Sequence, residues 1–205
     1  YDGHGHDSPV GTRWLDIWGT GWHKEMEGVM GFPREHPLAE PAALKHYRWP
    51  DPDDERLCGQ IYRMVEANPG GDTFLAAPHR DTLWEKAYML VGMENLMVYF
   101  RTEQDFVREV LHRIMDFQLG IARHYLKVGV EVAYLGDDLG TQQGPLLGPR
   151  IVREFLVPEY RRLFRLHKEH GVIIWFHSCG RIDSMLDTGL VRGGDILNPI
   201  QATAH

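Results

Sequence analysis

Apolar residues recur in two alternating patterns along this chain. Through 55–68, 106–125 and 149–167 they fall three or four positions apart, the spacing of one helix face. The first set is Leu57, Ile61, Met64 and Val65; the second is Phe106, Val110, Ile114, Phe117, Ile121 and Tyr125. The third is Val152, Phe155, Leu156, Tyr160, Leu163, Phe164 and His167, following Pro149, whose missing N–H costs little in a first helical turn. Pro158 lies off that face and predicts a kink. Between the helices stand short, nearly unbroken apolar runs at TFLAAP (73–78), VEVAYLGDD (130–138), VIIWF (172–176) and DILNPI (195–200), which predict strands. The stretch LWEKAYMLVGMENLMVYF predicts one or two helices, and Thr102 with Asp105 predicts an N-terminal cap for the helix that follows. RIDSMLDTGL predicts a short helix.

Strand alternating with helix is the signature of a parallel sheet. The 172–176 strand is apolar throughout, as when helices cover both faces or a barrel encloses one. An open doubly wound sheet and a (β/α)8 barrel both satisfy this pattern. No G-x-G-x-x-G follows the first strand, which speaks against dinucleotide binding. Residues 1–55 differ: they are rich in Gly, Pro, Trp and His, and read as an irregular N-terminal cover and linker ahead of a barrel-type domain at 56–205. RWLDIWGTGW suits a short hairpin or an irregular cover, and WPDPDD breaks the chain before the first helix. No internal repeat is visible.

Composition narrows the function classes. The 205 residues are 43% hydrophobic and 25% charged, enough for a globular core. A net charge of −7 with no basic stripe argues against nucleic acid as a partner. No run approaches the length of a membrane span, and YDGHGHDSPV lacks the features of a signal peptide. The first residue is Tyr1, so a preceding start is expected. Two cysteines, Cys58 and Cys179, make no disulfide framework, and a reducing, cytoplasmic setting follows as the default.

Every proposed strand ends in polar or titratable groups. His79, Arg80 and Asp81 follow the first; Asp137, Asp138, Thr141, Gln142 and Gln143 follow the second; His177, Ser178 and Cys179 follow the third; Asn198 and Gln201 close the fourth. Parallel α/β folds collect their sites at the carboxyl ends of strands, so these groups are expected in one mouth. His177 and Cys179 offer the N/S donor set that zinc prefers, or else a capped strand end with a packed thiol. Of Asp137 and Asp138, adjacent side chains in extended chain point opposite ways. One could enter the mouth while the other caps the next segment. The HGH at 4–6 needs no ligand role, and Arg101, Arg113, Arg123 and Arg161 read as solvated helix positions.

The stretch LGDDLGTQQGPLLGPRIVREFLVPEYRRLFRLHKEHGVIIWFHSCGRID, followed by GGDILNPIQ, resembles the uroporphyrinogen decarboxylase superfamily, in particular its decarboxylase-like and corrinoid-dependent methyltransferase branch. HPLAEPAALKHYRWPDPDD looks like the same branch. The resemblance implies an α/β fold, a (β/α)8 TIM barrel, incomplete here with about half the eight strands. In the methyltransferases an H-x-C pair and a later Cys hold zinc. His177 and Cys179 match the pair, and the later Cys has no counterpart before His205. The true decarboxylases use no metal; an aspartate near the mouth binds pyrrole N–H groups and an Arg-containing N-terminal segment binds carboxylates. That segment is not visible here, which favours the methyltransferase branch.

The resemblance thus implies zinc-dependent methyl transfer between a corrinoid carrier, held by a partner protein, and a thiol or methylated small molecule. Asp137 or Asp138 would act at the substrate with Gln142, and His79, Arg80, Gln143 and Gln201 would line the binding site. The alternatives are metal-free porphyrinogen decarboxylation and a non-catalytic barrel fragment acting as a binding module.

Overall fold

The computed structural model describes residues 4–200, so Gln201 lies outside the described residues. The chain forms two compact units. The first takes residues 4–50 with Lys86–Val107, the second Asp51–Glu85 with residues 108–200.

In the first unit, β1 (Arg13–Leu15) and β2 (Gly21–His23) pair antiparallel, and β3 (Phe32–Glu35) joins the other edge of β2. The predicted hairpin is therefore present. Asp16 organises its turn: its carboxylate accepts from the backbone N–H of Trp18 and Thr20, both at 2.9 Å, and from the indole of Trp22 at 3.0 Å. His4 stacks on Trp22 with ring centroids 5.3 Å apart, a packing role for the first histidine of HGH.

Helix α1 (Glu55–Glu66) is capped by the Asp54 carboxylate, which accepts from Arg56 N–H at 2.9 Å. The LWEKAYMLVGMENLMVYF stretch forms two helices, α2 (Trp84–Val91) and α3 (Met93–Thr102), broken at Gly92, whose φ is +87°. The long helix α4 spans Gln104–Lys127. Thr102 does not cap it: this residue ends α3, and its hydroxyl donates back to Val98 O at 3.4 Å.

In the second unit four strands run parallel: β4 (Ala76–His79), β5 (Val132–Gly136), β6 (Ile173–His177) and β7 (Ile196–Asn198). They lie in the order β4-β5-β6-β7, with no reversal. A doubly wound sheet reverses its strand order at a switch point; consecutive order is the winding of a (β/α)8 barrel. Among the described residues this sheet has four strands, half the number such a barrel uses.

Helix packing follows from strand parity. Ile174 and Phe176 of β6 are fully buried, and Phe176 packs edge-on against Tyr160 at 5.6 Å. Tyr160 belongs to α6 (Val157–Glu169). The alternate positions Ile173, Trp175 and Ile196 lie 45%, 36% and 43% exposed, on the face that lines the interior in a closed barrel. All seven apolar-face positions predicted for the 149–167 segment are buried.

That segment is not one regular helix. A short α5 (Pro149–Ile151) leads into π-helical Val152–Leu156 and then α6. Pro158 has no N–H to give Glu154 O, four residues back, and the Arg108 guanidinium donates to that carbonyl instead, at 3.2 Å. The expected kink is thus a wide turn with an external donor.

Candidate metal centre at the strand ends

The register of the sheet builds the site. Gly136 of β5 lies opposite His177 of β6, and His177 lies opposite Asn198 of β7. A Cβ on Gly136 would come within 3.4 Å of the His177 Cβ, so the glycine leaves room beside the imidazole. Beyond the strands the connections are laced together. Gly140 N–H donates to Cys179 O at 3.2 Å, Arg181 N–H to Thr141 O at 2.8 Å, and Ser178 N–H to Asn198 O at 2.9 Å. Ser178 is fully buried, and its hydroxyl accepts from Leu139 N–H at 3.0 Å.

Asp138, His177 and Cys179 meet here, with one donor atom of each within 4.8 Å of the others. His177 Nε2 lies 3.4 Å from Cys179 Sγ and 3.4 Å from Asp138 Oδ1. Asp138 Oδ1 also accepts from Cys179 N–H at 2.9 Å. On the far side of the ring, His177 Nδ1 lies 3.0 Å from Asn198 Oδ1. Burial pushes the Cys179 thiol up, and the Asp138 carboxylate adds to this.

The donor set, and two of its three separations, suit a metal ion such as zinc. Tetrahedral bonds of about 2.0–2.3 Å place neighbouring donor atoms about 3.3–3.8 Å apart. The two 3.4 Å separations fall in that range, and the donor set is nitrogen, sulfur and oxygen. A cation bound here would displace the thiol proton and favour the thiolate.

The remaining predicted residues divide. Arg80 is exposed, and Tyr134 feels its charge: burial pushes the Tyr134 phenol up, Arg80 pulls it down, and Cys179 and Asp138 push it up further. Gln142 and Gln143 are exposed on the connection after β5.

His79 does not enter the mouth. The expected strand 73–78 starts late, because Asn68 bonds both backbone groups of Thr73, and it extends through His79. Parity then puts His79 with Ala77 on the helix side. It is 1% exposed, its Nδ1 is 2.9 Å from Gln118 Oε1, and its Nε2 is 3.2 Å from His167 Nε2. Burial drives its imidazole down to about 4.

Asp137 is likewise turned away from the mouth. It is fully buried and accepts from Leu83, Trp84 and Glu85 N–H at 3.1, 2.7 and 2.9 Å, and from the Tyr160 hydroxyl. It closes the N-terminus of α2. Burial pushes its carboxyl up to about 7, while Tyr160 and the N–H groups pull it down. Glu85 is pushed to about 9 by burial and by Asp137, Asp81 and Asp138. The two carboxyls thus push each other up, while the four donors on Asp137 pull its carboxyl down.

Sequence reasoning missed Tyr134 and Trp175, whose rings sit 5.7 Å apart, Tyr134 being 6.0 Å from the His177 ring. Counting back by two from Gly136 and His177 would have found both. Cys58 is buried in α1 and its thiol donates to Asp53 O at 3.6 Å, apart from the site. A cleft of about 460 Å³ on the antiparallel sheet, between Arg13, Trp14, Trp22 and Arg34, holds none of the three donors.

Residues 34–198 match the profile of the family described as Uroporphyrinogen decarboxylase (URO-D). No curated protein matches the chain. Among solved structures, a methyltransferase from Methanosarcina mazei is similar at 16% identity, with a TM-score of 0.59 over 84% of this chain and 51% of its own. The chain spans about half the length of that structure, and the likeness is one of fold. Among the described residues no helix is long and apolar enough to cross a membrane.

Proposed function

Because the chain belongs to the uroporphyrinogen decarboxylase (URO-D) family, we propose that it serves a metal-dependent methyltransferase of that family. The reaction moves a methyl group between a corrinoid carrier on a partner protein and a thiol or methylated small molecule. The observation that carries this reading is the meeting of Asp138, His177 and Cys179 in one cluster. Three protein ligands with a fourth position open to substrate is the arrangement of catalytic zinc. Asp138 offers an oxygen beside the H-x-C pair as a third donor. The fold neighbour's description as a methyltransferase agrees with this reading.

Zinc bound here supplies Lewis-acid stabilisation of a thiolate or of the donor's heteroatom. The chain's own residues do the rest. Asp138 holds the Cys179 backbone as well as offering an oxygen, so the ligands are set before substrate arrives. Tyr134 and Trp175 give an aromatic wall beside His177 for the substrate stem. Arg80 offers a cation to an anionic substituent, and Gln142 and Gln143 offer amides from the rim. Nucleic acid and membrane have no part in this reading.

The family's own description favours a second reading, metal-free decarboxylation of a porphyrinogen. Metal analysis and one assay separate the two. The purified protein is expected to hold about one zinc per chain and to demethylate a methylcorrinoid when given a thiol. Protein that takes up no zinc, yet decarboxylates a porphyrinogen, would overturn the methyltransferase reading. Zinc-free protein inactive in both assays points to a binding module.

A further inference from the structure

We propose that Asn198 is a positioning residue of the metal centre, selecting the His177 tautomer that presents a bare Nε2 to Asp138 and Cys179. The inference rests on the metal-site reading above.

A neutral imidazole carries one N–H and one lone pair, and the hydrogen bond at one nitrogen decides which is left for a metal. Two side-chain oxygens compete for the His177 proton, while Cys179 Sγ lies 3.4 Å from Nε2. Asp138 Oδ1, 3.4 Å from Nε2, favours the proton on the ligand nitrogen and so blocks it. Asn198 Oδ1, 3.0 Å from Nδ1, favours the proton on the opposite nitrogen and leaves Nε2 bare. The Asn198 contact is the shorter, and it is built in by the fold. His177 and Asn198 are register partners of adjacent strands, and the Asn198 main chain is pinned where its carbonyl accepts from Ser178 N–H at 2.9 Å. The strand register therefore sets the amide beside the ring. Outer partners of this kind orient ligating histidines and raise their basicity.

Two measurements test this. In the metal-free protein, ¹⁵N-edited NMR of the His177 ring reads the tautomer directly. The expected result is a proton on Nδ1 in the wild type, and a shift toward Nε2–H in Asn198→Ala. Binding of Co²⁺, followed by its visible absorption, is expected to weaken about 10–100-fold in Asn198→Ala. Asn198→Asp keeps an acceptor and is expected to restore most of the affinity. A wild-type ring protonated on Nε2, or Asn198→Ala binding Co²⁺ as tightly as wild type, overturns the role of Asn198. A wild type that binds neither Co²⁺ nor Zn²⁺ overturns the metal site itself. If Asn198→Ala fails to fold, the wild-type tautomer and the Asn198→Asp affinity still decide.

Discussion

Asp137 and Asp138 are consecutive, yet they work on opposite sides of the sheet. Asp137 shares the parity of Ala133 and Leu135, turns into the helix layer, and gathers the N-terminus of α2 together with the Tyr160 hydroxyl. Asp138 shares the parity of Tyr134 and Gly136 and stands 3.4 Å from His177 Nε2. One residue of chain thus separates a structural cap from a candidate ligand, and the two are linked through the backbone, since Asp137 N–H donates to His177 O at 3.2 Å.

Substitution separates the two roles. Asp137→Ala leaves three buried N–H groups and a buried hydroxyl without their acceptor. The expected loss is roughly 3 kcal/mol or more of stability, read as a lowered urea midpoint. Asp138→Ala removes a half-exposed side chain, with an expected stability change of about 1 kcal/mol or less, while zinc affinity falls by more than the roughly 100-fold ceiling for an outer partner. If both variants lose stability equally, parity does not divide their roles.

The connections after β5 and β6 touch backbone to backbone. A Cβ on Gly180 would lie 2.3 Å from the Gly140 carbonyl carbon, and Gly180 has φ +80°, which side chains disfavour. Neither atom can move without dragging the Asp138 or Cys179 connection. Gly180→Ala is therefore expected to cost roughly 2–5 kcal/mol and to weaken metal binding as the ligands separate. Gly144→Ala serves as the control: no atom lies within 4 Å of the position its methyl group would take, so a surface change within about 0.5 kcal/mol is expected.

The two thiols should differ in reactivity. Cys179 is partly exposed and Cys58 is buried in α1. Iodoacetamide is expected to label Cys179 first in metal-free protein, with zinc slowing that reaction and leaving Cys58 unchanged. Peptide mass mapping reads both sites. Equal protection of Cys58 would mean that zinc acts by tightening the whole fold rather than by binding the thiol.

Much of this was legible in the sequence. The helix faces and the strands rest on local periodicity, which tertiary packing reinforced, and the H-x-C pair on its place at a strand end and on the family resemblance. What was not legible came from one-residue shifts. The strand expected to stop at Pro78 runs through His79, and that single residue moves His79 from the mouth to the helix layer. The role of Asn198 depends on which residue of β7 faces His177, and register between strands is not written in either strand alone. The same holds for Arg108, which serves a carbonyl 46 positions away because Pro158 cannot.

His79 and His167 make the stability of the fold depend on pH. Gln118 accepts from His79 Nδ1–H, so His79 Nε2 is the acceptor and His167 Nε2–H the donor; His167 Nδ1 is then a buried acceptor without a partner. Protonating either ring would bury a cation with no compensating anion among these contacts. Burial accordingly holds His79 at about 4 and, with the charges of His79 and His170 adding, His167 at about 3. An unfolded histidine titrates near 6.5, so between that pH and about 4 the unfolded chain binds more protons than the folded one. Stability is then full above pH 6.5, falls as pH drops toward 4, and levels off once the folded rings also protonate. Each histidine contributes a slope of up to about 1.4 kcal/mol per pH unit in that window. His167→Gln is expected to remove about half of the slope while lowering stability at pH 7.5, both read from urea unfolding at pH 7.5, 6.0 and 5.0. An unchanged slope would show that acid acts elsewhere in the fold.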